Sequence, residues 1–167
     1  MLPDASVTYV PDCSLLHSTS AENEMTDMHS ARGMAQAGML LIVLALLTGL
    51  AVPVFHNPRM AIATHMTGIM GGLVIVAVGS MWSQLALSTG QARLTKVLVL
   101  AGFYSNWAIS SLAAAWGTNR NTPVAGAGFG AAPWQESLVA GLQVAMSPAL
   151  LVALGLIVFG LRRSATD

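Results

Sequence analysis

Asn57-Pro58-Arg59-Met60-Ala61-Ile62-Ala63-Thr64-His65-Met66-Thr67-Gly68-Ile69-Met70-Gly71-Gly72 is the stretch that decides the fold of this chain. Pro58 fits a first-turn position, where its missing N–H would have had no intrahelical partner, and the apolar run behind it reads as a helix. His65 then lies about two turns inside that helix. An ionisable side chain at that depth in an apolar segment needs a partner or a function. His65, Gly68, Gly72 and Gly79 share one helical face, so the imidazole heads a groove that carries no side chains. Either a flat group or another helix can lie in such a groove.

The composition around this stretch is that of a membrane protein. Hydrophobic residues make up 54% and charged residues 8% of the 167 positions, against about 25% charge in soluble domains. The mean hydropathy is +0.66. A chain of this length can supply four spans of about 20 residues with short connections, so the expected fold is an all-α integral membrane four-helix bundle. A formal net charge of zero, with no basic cluster, leaves no footprint for nucleic acid. Cys13 is the only cysteine, which excludes an intrachain disulfide and a cysteine-based metal site.

In chain order, residues 1–30 are polar and acidic and lack the basic-then-apolar layout of a secretory signal. They read as a disordered tail ahead of a membrane domain at 31–167, and Met28 is an alternative start. The spans are expected at about 33–54, 58–82, 97–116 and 138–161. Pro53 closes the first, and Ser83–Lys96 is the polar turn before the third. Gly68 and Gly72 form the small-xxx-small pair that marks close helix approach in lipid. Span three carries Tyr104, Asn106, Trp107, Ser110 and Ser111, too many polar groups for a lipid-facing helix. The connection Gly117–Ser137 is long, and long loops are functional or disordered. Its glycines do not match the dinucleotide fingerprint and follow no strand. Span four contains Gln143 and Ser147-Pro148, which predicts a kink. Arg32, Arg93, Lys96, Arg162 and Arg163 fall on one side of this layout, Arg59 and Arg120 on the other. Both termini are therefore expected in the cytoplasm, in a multi-pass protein of the cell inner membrane.

Few residues can carry chemistry inside the membrane: His65, Tyr104, Asn106, Ser110, Gln143 and, at a boundary, Glu136. There is no carboxylate pair, no HExxH and no Gly-x-Ser-x-Gly elbow, which removes the commonest hydrolytic sites. His65 retains three readings: a structural histidine bonded between helices, an axial ligand to a haem, or a proton-relay or ion-site residue.

The segments Asn57-Pro58-Arg59, His65-Met66-Thr67-Gly68-Ile69-Met70-Gly71-Gly72, Tyr104-Ser105-Asn106-Trp107 and Ala-Ala-Trp-Gly-Thr ending at Thr118 resemble the hydroxylaminobenzene mutase family, over about Met28 to Arg163. More distantly they are similar to the styrene oxide isomerases. That likeness implies a four-span enzyme that forms a trimer, with ferric haem b (metal ligand His65) at the subunit interfaces and Gly68 and Gly72 beside it. The isomerases' epoxide-orienting Asn and Tyr align with Gly71 and Ser110 here, which disfavours an epoxide. Tyr104 and Asn106 remain as the implied catalytic pair. The implied reaction turns a small aromatic substrate, an aryl hydroxylamine, into a 2-aminophenol without net redox change.

A non-enzymatic oligomer, such as a channel, transporter subunit or haem-bearing carrier, is the competing class. A bis-histidine carrier would need a second histidine at membrane depth, whereas His56 falls in a loop and His17 and His29 in the tail.

Overall fold

The computed structural model describes residues 13–164, with side chains from 28 to 162. All regular structure among these residues is helical: α1 (Cys13–Leu50), α2 (Pro58–Ser80), α3 (Thr89–Trp116) and α4 (Pro133–Ser164), with single 3-10 turns at Val52–Val54 and Trp82–Gln84. Each of the four helices is long and apolar enough to cross a bilayer. Large apolar side chains such as Leu50, Leu73 and Leu151 are exposed, as they are where lipid or another subunit is the solvent.

The helices pack in chain order, α1 on α2, α2 on α3 and α3 on α4, with a thin contact between α1 and α3. One core, near the α2–α3 turn, gathers Met34 and Leu41 of α1, Ile75 and Val78 of α2, Trp82, Val99 of α3, and Ala153 and Ile157 of α4. A second core, toward the other end, joins Met60 and Ala61 to Ile109, Ala113, Ala114 and Val139.

The tightest approach is between α1 and α2. A Cβ built on Gly38 would stand 2.6 Å from the Gly72 carbonyl oxygen, and one on Gly72 2.6 Å from the Gly38 carbonyl oxygen. Gly68 faces Ala45 in the same way, and Gly72 also meets the Ile42 side chain. In this structure the glycine face therefore receives helix α1, the backbone contact that small residues permit in a membrane.

Three boundaries differ from the sequence expectation. α3 begins at Thr89 rather than near 97, because Ser88 and Gln91 form a reciprocal capping box that supplies partners for N-terminal amides. α4 begins at Pro133, five positions before 138, with proline again in the first turn. α1 extends back to Cys13, through part of the segment expected to be disordered. No Gly or Pro interrupts 13–32, so a helix nucleated in the membrane can propagate outward. Residues 1–12 lie outside the described residues.

Asn57 ties one end of the bundle together and is 0% exposed. Its side chain accepts from the Met60 N–H as the α2 N-cap, its amide donates to the Ala125 carbonyl at 2.9 Å, and its backbone N–H donates to the Ala114 carbonyl at 3.0 Å. One residue thus joins the start of α2, the end of α3 and the loop beyond, with every polar group used. At the end of α3, Gly117 adopts φ 74°, a left-handed conformation that favours glycine.

Candidate active site

His65 projects from α2 into the seam with α1. Its Nδ1 is 2.7 Å from the carbonyl oxygen of Ala45. A carbonyl only accepts, so Nδ1 carries the hydrogen; in the neutral ring the lone pair is then on Nε2. The ring lies against Gly49, one turn beyond Ala45, where a Cβ would stand 2.6 Å from Nδ1 and 2.8 Å from Cε1. The structural bond between helices and a free second nitrogen therefore coexist in one side chain.

The haem implied by the resemblance can be tested against this arrangement. A haem asks for a neutral imidazole nitrogen, a fixed ring orientation and apolar surface alongside. The Ala45 carbonyl sets the tautomer and the Gly49 cradle fixes the ring. His65 is half-buried, and Ile62 (53% exposed) and Met66 (51%) flank it on α2. Among the described residues no three His, Cys, Asp or Glu side chains gather to hold a bare metal ion. A macrocycle that brings its own nitrogens needs only one. The residues fit the group.

Trp107 closes the inner side of this seam. Its indole N–H donates to the Thr48 hydroxyl at 3.2 Å, Thr48 donates to the Leu44 carbonyl at 2.9 Å, and the indole edge lies against Gly68. The Tyr104 hydroxyl donates to the Ala37 carbonyl at 2.7 Å, a strut between α3 and α1. Gly71 packs on Phe103, where a Cβ would stand 2.9 Å from the ring, and Ser110 is buried. A side chain at Gly71 would therefore meet that ring.

Asn106 occupies a different seam. It lines an open cleft of about 600 Å³ between α3, α4 and the loop that joins them, with Arg120, Asn121, Gln143 and Ser147 on the same walls. The Asn121 amide donates to the Gln143 side-chain oxygen at 3.1 Å and to the Ala140 carbonyl at 3.3 Å. Glu136, in the first turn of α4, holds the loop in place: its carboxylate accepts the backbone N–H groups of Asn119, Arg120 and Ala131. Arg59 adds a bond to the Ala127 carbonyl and lies 5.6 Å from the Phe129 ring centroid. Within one chain, then, His65 and Asn106 face opposite ends of the helix row.

The family profile of the styrene oxide isomerases matches residues 30–162 of this sequence. Hydroxylaminobenzene mutase HabB of Ectopseudomonas oleovorans is 37% identical over 138 residues, covering 82% of this chain and 84% of that protein. The chain belongs to this isomerase and mutase family. Hydroxylaminobenzene mutase HabA of the same organism is 34% identical over 128 residues, covering 76% of this chain and 95% of that protein. No solved structure matches the chain. Membership makes it an isomerase, and the full complement of spans lies within the matched residues except for the extension of α1 before residue 30 and the last residues of α4.

The sequence marks His65 and Asn106 as candidates but carries no comparable signal at Gly49 and Asn121. Gly49 carries no local signal, since its role is set by an imidazole on another helix. Asn121 gains its role only when the loop folds back onto α4.

Proposed function

We propose that this protein is a membrane mutase that converts aryl hydroxylamines of the hydroxylaminobenzene type to 2-aminophenols, with a ferric haem b held by His65. In that reaction the N–O bond breaks, a C–O bond forms at the ortho carbon, the ring proton there is lost and nitrogen gains a proton. No electron enters or leaves, and no cosubstrate is needed. The observation that carries the reading is the His65 imidazole, pinned through Nδ1 by Ala45 and seated on Gly49 with Nε2 free. The printed names of the two mutase relatives support the substrate class.

When bound, a ferric haem supplies a Lewis acid for the substrate's heteroatom. The chain's own contribution is to position and to exclude. The Ala45 carbonyl fixes Nδ1 as the donor nitrogen and holds the ring, so that Nε2 is the nitrogen that would meet the metal. The apolar side chains around His65 keep bulk water, a competing nucleophile, away from an electron-poor ring. Asn106 offers a donor and an acceptor in one group, which matches an N-hydroxyl that also donates and accepts. Tyr104 holds α3 against α1 and so fixes the height of Asn106 in the bundle.

Because His65 and Asn106 belong to different seams, one catalytic site draws on two copies: the α1–α2 face of one subunit meets the α3–α4 face of the next. A contact between two different faces closes into a ring where its rotation returns to the start, and the ring proposed here is a trimer. The ring lies in the cell inner membrane with both termini cytoplasmic, in keeping with Arg32, Arg93, Lys96 and Arg162 at one end of the bundle and Arg59 and Arg120 at the other.

The test compares two substrates on one preparation. Phenylhydroxylamine is expected to give 2-aminophenol faster than styrene oxide gives phenylacetaldehyde, with nothing added. Preference for the epoxide would overturn the substrate assignment.

A further inference from the structure

The Asn106 cleft carries more hydrogen-bonding groups than the proposed reaction uses. Gln143 stands on a membrane-spanning helix, and Asn121 reaches it from the loop. Because Asn121 donates to the Gln143 oxygen, the Gln143 NH2 keeps its donors and Asn121 keeps its acceptor oxygen. One turn further, Pro148 sits inside α4 and has no N–H to give to the Val144 carbonyl, and Val144 lines the same cleft. Ser147 completes that wall, its own hydroxyl donating back to the Gln143 carbonyl at 2.8 Å. Polar groups and an interrupted backbone ladder are tolerated at this depth where they line a cavity or face protein.

We infer that Gln143 and Asn121 form the binding subsite for the –NHOH group of an aryl hydroxylamine, with the Gln143 amide donating to its oxygen and the Asn121 oxygen accepting from it. This deepens the mutase reading and rests on it. The cleft volume of about 600 Å³ admits a substituted ring beside the polar group. Glu136 acts one step removed, as a positioning residue. Its bonds to the Asn119 and Arg120 N–H groups set where the next residue, Asn121, meets Gln143. An –NHOH group can use both contacts, whereas an epoxide oxygen, which only accepts, can use the Gln143 donor alone.

The experiment measures steady-state kinetics of the detergent-purified holoenzyme with phenylhydroxylamine, comparing wild type with Gln143→Leu and Asn121→Ala. Asn121 is an exposed loop residue, so its truncation leaves the helices intact. Each variant is expected to raise KM by about tenfold, the effect of one lost hydrogen bond, while kcat changes less than about twofold. Gln143→Asn is expected to recover part of the KM loss. An unchanged KM in both variants overturns the subsite. So does a fall in kcat at constant KM, which would place these residues in the chemical step. Absence of phenylhydroxylamine turnover by wild type would instead overturn the mutase reading beneath it.

Discussion

The imidazole of His65 is fixed from α1 by the carbonyl oxygen of Ala45, 2.7 Å from Nδ1, while Gly49 one turn later leaves the space in which the ring lies. Two positions of one helix thus set the tautomer and the orientation of a side chain on another. The site depends on α1 as much as on the histidine.

Gly49→Ala is accordingly expected to act like a partial loss of His65. The added Cβ would meet the ring at 2.6 Å, and either the imidazole turns or the helices part. Overpacking of this kind costs roughly 1–3 kcal/mol, which is about five- to 150-fold in haem affinity. Haem titration of the purified variant checks it, and an affinity equal to wild type would show that the ring does not need this seat.

The α1–α2 contact makes a separate prediction about stability. Gly72→Ala places a methyl against the Ile42 side chain, which can shift, and against the Gly38 carbonyl at 2.6 Å, which is backbone and cannot swing aside. A loss of roughly 1–3 kcal/mol is expected, read as a lower melting midpoint in detergent. Gly141→Ala, in open space on α4, is the matched control and is expected to leave the midpoint unchanged or raise it slightly, since alanine is the better helix former.

Glu136 supplies the acceptor for three loop amides, so Glu136→Ala leaves those N–H groups to find other partners. The loop between α3 and α4 is expected to become a site of rapid proteolytic cleavage, while the helices stay protected by detergent. Equal cleavage rates for variant and wild type would mean that the other ties, Asn57 to Ala125 and Arg59 to Ala127, hold the loop without it.

The split of the site between two seams can be read by complementation. Asn106→Ala alone is expected to keep haem and slow turnover by roughly ten- to a thousandfold, the effect of one positioned donor lost. Co-expressed with His65→Ala, it is expected to recover about a quarter of wild-type activity, because random mixing leaves that share of neighbouring faces intact. No recovery above the better single variant would place both residues of a working site in one chain.

How much of this was legible in the sequence follows from which forces are local. Pro58 behind Asn57 announced the start of α2, and apolar runs announced the spans, because a bilayer demands length and hydropathy from each segment by itself. The start of α3 was not read, since Ser88-x-x-Gln91 lies in a polar stretch where a hydropathy window sees only a turn, although the capping box is a local signal. The small-xxx-small pair Gly68 and Gly72 predicted close approach, yet its partners Gly38, Ile42 and Ala45 on α1 could not be named from spacing. Asn57 gave no hint of its bonds to Ala114 and Ala125. Likewise His65 and Asn106 were recognisable one by one, but that they face different seams is a property of the helix order in space.

The most direct measurement is the absorption spectrum of the purified protein beside that of His65→Ala. Wild type is expected to be red-brown, with a Soret band and about one haem per chain, and the variant to lose the band and the turnover of phenylhydroxylamine together. A His65→Ala protein that is folded, haem-free and fully active would contradict the account, as would a colourless wild type made with ample haem.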